Sequence, residues 1–436
     1  MYAATGAYRS LRILLALVAA FDLECHSADV TNAFLNAVLD EEVYIKCPPG
    51  FEVRGHVWKL KRALYGLRTA PKAWFKELTS FLSTIGFTPC PEDPCIVLHD
   101  SGIIIFFYVD DFLFIGPRSQ AQEIATLKKV LNEKYGIKDL GPTSSFLNIK
   151  ITRDREARML WISQRPYIDK LIAKFHLEAM LQHPIRTPLT PYFKAAPHTE
   201  QATDAQRREY QCKTGSILYA AIVSRPDISY ASSLLCQFNV NPSSEHLREA
   251  DRVLGYLAHT REYAIEYSLR DGDKSSFIAT SDASFADDPA TRRSTQGYLF
   301  KLFNGSILWQ SVRQRTVTTS TTEAELLALS ATAKETIAIC RLFSQIKFNP
   351  GTQLPMIECD NLQTVGLIVK ERPELTTKLR HVDIHHFWLR QAHQQSIVEI
   401  QWTPTTEMIA DGMTKSLVGQ GHDRFVEQLG ITKKAL

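Results

Sequence analysis

Hydrophobic and polar positions along this chain change period twice. Up to about residue 165, short apolar runs of strand length alternate with segments such as LTSFLSTIGF and AQEIATLKKVLNEKYG, in which apolar positions recur at three and four. That alternation predicts an α/β layer. From His183 to Gln206 the stretch HPIRTPLTPYFKAAPHTEQATDAQ carries four prolines, breaks both periods and reads as a connector. A helical block follows, where Leu247, Ala250, Leu254 and Leu257 line one face behind a Ser N-cap signal. From about Phe277, strand-like FIATSD, QGYLFKLF and SILWQ return, with Asn304-Gly305 as the expected hairpin turn. The helix after them opens with Ser320-Thr-Thr-Glu323, expected to form a capping box, and MIEC, VEIQW and a terminal helical piece complete a second α/β layer.

Composition adds bounds. At 436 residues and 44% hydrophobic, the chain is long enough for two or three cores. A net charge of +3 is too balanced to announce a nucleic-acid partner, although local basic clusters could still serve one. Eight cysteines without paired Cys-x-x-Cys units argue against a zinc ribbon and for reduced thiols inside a cell. Ile13 to Phe21 follow Arg9 and Arg12 in the manner of a signal peptide, but the run is short and the cleavage position poor, so a buried helix is expected. No stretch approaches the ~20 apolar residues of a membrane span.

The segment FFYVDDFLFIG places Asp110 and Asp111 between two strand-like runs, so a sharp reversal at Asp110-Asp111 would make a hairpin with charges at its tip. The acids mark either a turn or a metal. Asp29, at the end of strand-like LECHSAD, could join them if the two strands are neighbours. Converging carboxylates repel unless a hard divalent cation sits among them, and Mg²⁺ prefers such sites completed by substrate phosphates.

The motifs DVTNAFLN, EEVYIKCPPGF, ALYGLRTAPKAW, YVDD, SRPDISYA, SDASFADD, RRSTQGY, STTEAE and ADGMTK occur in the order found in copia-type retrotransposon polyproteins. The chain resembles the reverse transcriptase and ribonuclease H part of that family over nearly its whole length. The resemblance implies a polymerase palm in which Asp29, Asp110 and Asp111 hold a pair of Mg²⁺ ions, with Mn²⁺ able to substitute, Asp111 contributing least directly. It places Phe34 as the aromatic that blocks a 2′-hydroxyl, the plain alternative being a core Phe. Gly66 and Arg68 fall in the segment under the nascent base pair, and Tyr108 belongs to the YVDD motif. Thr69 stands where the family has Gln, and Asn148 where it has Gly.

Asp282, Glu325, Asp360 and Asp411 resemble the four-carboxylate site of ribonuclease H, which holds two Mg²⁺ ions and cuts the RNA strand of a hybrid. Glu325 is preferred over Glu323 because Glu323 serves the cap and two positions turn a helical side chain by about 200°. Asp287 and Asp288 are expected in a solvated loop. His381, Asp383, His385 and His386 lack the HExxH order, so zinc is not expected there. Arg292, Arg293, Arg313, Arg315, Lys378 and Arg380 are candidate phosphate contacts, with a solvated charged face as the equal alternative.

The implied fold class is α/β (α+β). A palm with a fingers remnant would occupy 1–165, a mostly helical thumb or connection 166–270, a ribonuclease H-like mixed-sheet domain 271–425 and a tail 426–436. Implied partners are an RNA template, a DNA primer, an RNA–DNA hybrid, deoxynucleoside triphosphates and a second reverse transcriptase subunit, with no membrane. The location would be intracellular, in cytoplasmic virus-like particles or the nucleus. The family has a longer fingers region than the 28 residues before Asp29, with basic side chains that orient the triphosphate. A 5′-truncated element with the ribonuclease H half as the more complete catalyst is therefore expected. The competing expectation is a retroelement remnant that binds RNA and DNA without catalysis.

Overall fold

The apolar run near the start forms helix α1 (Tyr8–Ala20), buried continuously from Ser10 to Ala20, as its uninterrupted hydrophobicity requires. It belongs to the first of two units, Met1–Leu147 and Asn148–Leu436, in a computed structural model that describes residues 4–269, 277–349, 354–370 and 380–434. Among those residues no helix is long and apolar enough to cross a membrane. All eight cysteines are free thiols.

In the first unit, β1 (Glu24–Val30) is followed by a small ribbon of β2 (Tyr44–Ile45) and β3 (Trp58–Lys59), then by helix α2 (Ala70–Thr84). After these come β4 (Thr88–Cys90), β5 (Asp93–Leu98), β6 (Ile104–Tyr108), β7 (Asp111–Gly116), helix α3 (Ala121–Tyr135), β8 (Ile137–Pro142) and the short β9 (Ser145–Phe146). The main sheet runs β4-β5-β6-β7-β1-β8. Trp74, Leu78 and Leu82 of α2 and Ile124, Leu127 and Leu131 of α3 join Ile105, Phe107, Phe112 and Phe114 of β6 and β7 in one core. Each such side chain contributes about 1.5–3 kcal/mol by leaving water. Gly136, at φ 68°, ends α3 with the left-handed residue such termini favour.

The second unit contains two sheets. In one, β10 (Ile149–Asp154), β11 (Met159–Ser163) and β12 (Tyr263–Ser268) form antiparallel neighbours, and the last strand, β18 (Ile431–Lys433), pairs with β12. Helices α4 (Arg165–Phe175), α5 (Asp204–Val223), α6 (Ser229–Cys236) and α7 (Ser244–His259) share a core that includes Tyr210, Ile217, Leu235, Leu254 and Leu257.

The other sheet holds β13 (Phe277–Ser284), β14 (Thr295–Leu302), β15 (Gly305–Arg313), β16 (Met356–Cys359) and β17 (Glu399–Trp402), ordered β15-β14-β13-β16-β17. The first three are antiparallel, whereas β13, β16 and β17 are parallel. Parallel neighbours require crossovers, supplied here by α8 (Thr321–Gln345) before β16 and by α9 (Leu362–Val369) and α10 (Arg380–Gln394) before β17. Two helices, α11 (Asp411–Thr414) and α12 (Gln420–Gln428), close the unit. The α/β class expected from the sequence is thus the observed one.

Two local expectations need correction. The hairpin loop between β14 and β15 is Phe303-Asn304, both at positive φ, not Asn304-Gly305. Gly305 instead pairs with Leu302, and a Cβ there would lie 2.3 Å from the Tyr267 ring, so glycine is demanded by the neighbouring strand. At α8, Ser320 Oγ accepts from the Glu323 amide at 3.2 Å, but Glu323 Oε2 accepts from the amide and hydroxyl of Thr319. Only half of the expected box forms, because Thr319 offers two donors to the same carboxylate. At α7 the expected Ser cap forms: Ser243 Oγ accepts from the His246 amide at 3.2 Å, and His246 Nδ1 accepts from the Ser243 amide at 3.0 Å.

Candidate active sites

The second acid set is built on the carboxyl ends of the parallel strands. Asp282 lies near the end of β13, Asp360 directly follows β16, and these two strands run side by side. Asp411 is the first residue of α11. One ligand oxygen from each of the three lies within 4.8 Å of the others, and this is the only such group of three acidic, histidine or cysteine ligands among the described residues. Glu325 projects from the second turn of α8 into the same cleft, which has a volume of about 320 Å³. Its Oε1 accepts from the Ala283 amide at 3.2 Å, while its Oε2 is buried without a hydrogen-bond partner.

Electrostatics identifies this as a place that wants positive charge. Burial, reinforced by Asp282 and Asp360, pushes the Glu325 carboxyl up to about 9. Burial also pushes Asp282 up to about 6, with Asp411 and Asp360 adding to it and a hydrogen bond from Thr414 opposing. Asp411 is raised by burial too, against the pull of Lys415, whose Nζ lies 2.7 Å from its Oδ2. An orphaned buried oxygen beside three clustered carboxylates fits a hard divalent cation. Lys415 was not among the sequence candidates, and its signal was its place four residues after Asp411, one helical turn on.

The first acid set sits at the tip of a hairpin. Asp29 of β1 and Asp111 of β7 are directly opposed across the antiparallel ladder, and the Asp110 carbonyl accepts from the Val30 amide at 2.8 Å. The reversal lies one residue earlier than expected, at Val109-Asp110, because Tyr108 and Asp111 form the closing pair. Val109 takes φ 59°, an unusual conformation for a β-branched residue, and its carbonyl accepts from Trp74 Nε1 at 2.7 Å. Burial, followed by the charges of Asp110 and Asp29, pushes Asp111 up to about 6. Burial also raises Asp110, with Asp29 adding to it. These three acids feel one another, but their oxygens do not gather as closely as those of the second set.

Around that tip, Phe34 is buried, and its ring centroid lies 4.6 Å from that of Tyr65. Sequence reasoning missed Tyr65. Burial and then the Asp110 charge raise its hydroxyl's pKa, so it is a neighbour of the acids; the available signal was its position beside Gly66. Gly66 takes φ 98° with open space where a Cβ would point, so backbone conformation is what demands glycine there. Arg68 is exposed and Tyr108 half-buried.

Residues 1–191 match the family described as reverse transcriptase (RNA-dependent DNA polymerase). The chain is 34% identical to the retrovirus-related Pol polyprotein from transposon TNT 1-94 of Nicotiana tabacum, over 97% of this chain and 32% of that protein. It is 32% identical to the putative transposon Ty5-1 protein of Saccharomyces cerevisiae, over 70% of this chain and 99% of that protein. The chain belongs to the copia-type retrotransposon reverse transcriptase family. This family member spans about a third of the length of the plant polyprotein it matches. A foamy viral protease-reverse transcriptase solved in complex with RNA/DNA hybrid is similar at 16% identity and a TM-score of 0.48, over 91% of this chain and 46% of that one.

Other candidates of this retrotransposon chain are placed as follows. Asp287 and Asp288 are not a solvated loop. Asp287 accepts from the Thr295 amide and hydroxyl, while buried Asp288 accepts from Ala290 and Thr291 and pairs with Arg313 at 2.6 Å. The loop that precedes β14 folds back onto its own donors, which sequence spacing did not reveal. Arg313 is thereby committed to an acid, whereas Arg292, Arg293 and Arg315 are exposed. His385 Nδ1 lies 2.7 Å from Ser330 Oγ, and His386 Nε2 lies 3.1 Å from the Leu367 carbonyl, so both serve packing. Lys378 and the side chains of Arg380 and His381 fall outside the described residues.

Proposed function

We propose that the pocket of Asp282, Glu325, Asp360 and Asp411 hydrolyses the RNA strand of an RNA–DNA hybrid, and that Asp29, Asp110 and Asp111 serve RNA-directed DNA synthesis. The observation that carries the first half is the gathering of Asp282, Asp360 and Asp411 within 4.8 Å beside the unpartnered Oε2 of Glu325. Those four residues would hold two Mg²⁺ ions, or Mn²⁺, which when bound supply Lewis acidity toward a phosphodiester and an activated water. The carboxylates fix the site's geometry, Ala283 holds Glu325 in its rotamer, and Thr414 orients Asp282. Recognition would rest on the hybrid's minor-groove shape and on the 2′-hydroxyls of its RNA strand.

In this reading, the palm expected over 1–165 gives up β10 and β11 to the second unit, 166–270 act as thumb or connection and 271–425 as nuclease, while 426–436 carry the end of α12 and the paired strand β18 instead of a tail. Phe34 excludes a 2′-hydroxyl, Gly66, Arg68 and Tyr108 line the nascent pair, and Arg292, Arg293 and Arg315 meet phosphates. The partners are an RNA template, a DNA primer, deoxynucleoside triphosphates and a second subunit, in an intracellular setting. The looser spacing of the Asp29, Asp110 and Asp111 oxygens favours a second reading for the first unit alone, nucleic-acid binding without synthesis.

A labelled RNA–DNA hybrid incubated with the purified chain and MgCl₂ tests the nuclease. Endonucleolytic loss of the RNA strand, abolished by Asp282→Asn, is expected. A folded wild-type chain that leaves the hybrid intact would refute it.

A further inference from the structure

The SRPDISYA motif plays no part in either acid set, yet among the described residues it contains the most deeply buried ion pair of the second unit. Arg225 and Asp227 are joined through Nε to Oδ1 at 2.9 Å and Nη2 to Oδ2 at 2.7 Å, with both side chains fully enclosed. Two more donors of Arg225 reach the carbonyl and hydroxyl of Thr260, just past the end of α7. The Tyr256 hydroxyl donates to Asp227 Oδ2 at 2.8 Å and lies 2.9 Å from His422 Nε2 on α12. A phenol has one proton, and here the carboxylate takes it. His422 must therefore donate from Nε2, which fixes its tautomer. Burial holds the imidazole below its usual pKa, consistent with a neutral ring.

The line of hydrogen bonds ends on α12, which lies against the short helix that carries Asp411. One helical turn beyond His422, Phe425 lies against Gly412, whose Cβ position would fall 2.4 Å from the ring. Gly412 directly follows Asp411. The placement of Asp411 thus depends on where α12 sits, and α12 is tied through His422 to a buried ion pair on a different part of the fold.

We propose that Arg225, Asp227, Tyr256 and His422 form a positioning relay that sets the direction of Asp411 through Phe425 and Gly412. The inference rests on the nuclease reading of the pocket. Tyr256→Phe takes from His422 Nε2 its acceptor and from Asp227 Oδ2 one of its two donors, while keeping the ring. His422→Leu removes the donor, and His422→Gln retains an N–H at similar reach.

The test measures the Mg²⁺ concentration giving half-maximal hybrid cleavage, the KM for hybrid, and Mg²⁺ binding by calorimetry on the full chain. Tyr256→Phe and His422→Leu are expected to raise the Mg²⁺ midpoint about tenfold with hybrid KM unchanged, and His422→Gln to restore it. Should His422→Leu fail to fold, Tyr256→Phe decides. A relay that is merely structural would lower the unfolding temperature and leave the Mg²⁺ midpoint where it was, which would overturn the proposal. A wild-type chain with no Mg²⁺ response at all would remove the nuclease reading and this inference with it.

Discussion

Asp282 and Gly297 are direct partners across the β13–β14 ladder. The missing side chain of Gly297 makes room for α11: a Cβ there would lie 2.4 Å from that of Met413 and 3.1 Å from Thr414 Cγ2. That vacancy lets Thr414 reach Asp282 and brings Asp411 to the same cleft. Gly297→Ala is therefore expected to push α11 outward, costing about 1–3 kcal/mol of stability. Hybrid cleavage should fall more than a hundredfold. Urea unfolding and a cleavage assay on one preparation would check both, and an alanine variant with wild-type activity would contradict the packing argument.

The raised carboxyls give a signed pH dependence. A carboxyl whose folded pKa exceeds its unfolded value contributes stability that is complete below the unfolded pKa and is lost as pH rises through the folded one. For Glu325 that window runs from its ordinary 4.5 to about 9, and for Asp282 from 3.8 to about 6. The metal-free chain should thus lose thermal stability between pH 5 and 9, and MgCl₂ should restore more of it at the alkaline end. Melting curves in EDTA and in Mg²⁺ across this range test the sign.

Glu325→Gln removes the same buried charge without changing shape. In EDTA at pH 9 the variant is expected to melt higher than the parent, because an uncompensated buried carboxylate is gone. Cleavage should be lost. A variant that melts lower at pH 9 would mean that Glu325 is already compensated.

Asp110→Asn and Asp29→Asn separate the two chemistries. Each is expected to abolish Mg²⁺-dependent primer extension while leaving hybrid cleavage at the parental rate, since the nuclease acids belong to the other unit. Extension that persists in Asp110→Asn would exclude the hairpin acids from synthesis.

Val109 offers a stability test of the hairpin tip. Its left-handed backbone costs about 1–2 kcal/mol for a residue with a Cβ. Val109→Gly should therefore raise the urea midpoint with an unchanged slope, while lowering extension activity if the strain holds Asp110 in place.

How much of this could be read in advance follows the range of the forces involved. The YVDD hairpin, α1 and the caps at Ser243 and Ser320 depend on residues within a few positions, and the sequence pattern contained them. The clustering of Asp282, Asp360 and Asp411 came from motif order rather than from periodicity, since nothing local states that β13 and β16 are parallel neighbours. The misplaced readings have one cause. Gly305 answers to Tyr267, Arg313 answers to Asp288, and Tyr65 packs against Phe34, all partners distant in sequence. The relay from Arg225 to His422 was illegible for the same reason, being assembled from α7, α12 and the turn after α5.

The two carboxylate sets belong to two compact units, one ending at Leu147 and the other beginning at Asn148. A substitution that ruins the hairpin tip therefore has no obligatory effect on the strand-end cluster, nor the reverse. Selection acting on such a chain is free to relax one acid set while holding the other, so lineages descended from it should differ in which set keeps all its carboxylates.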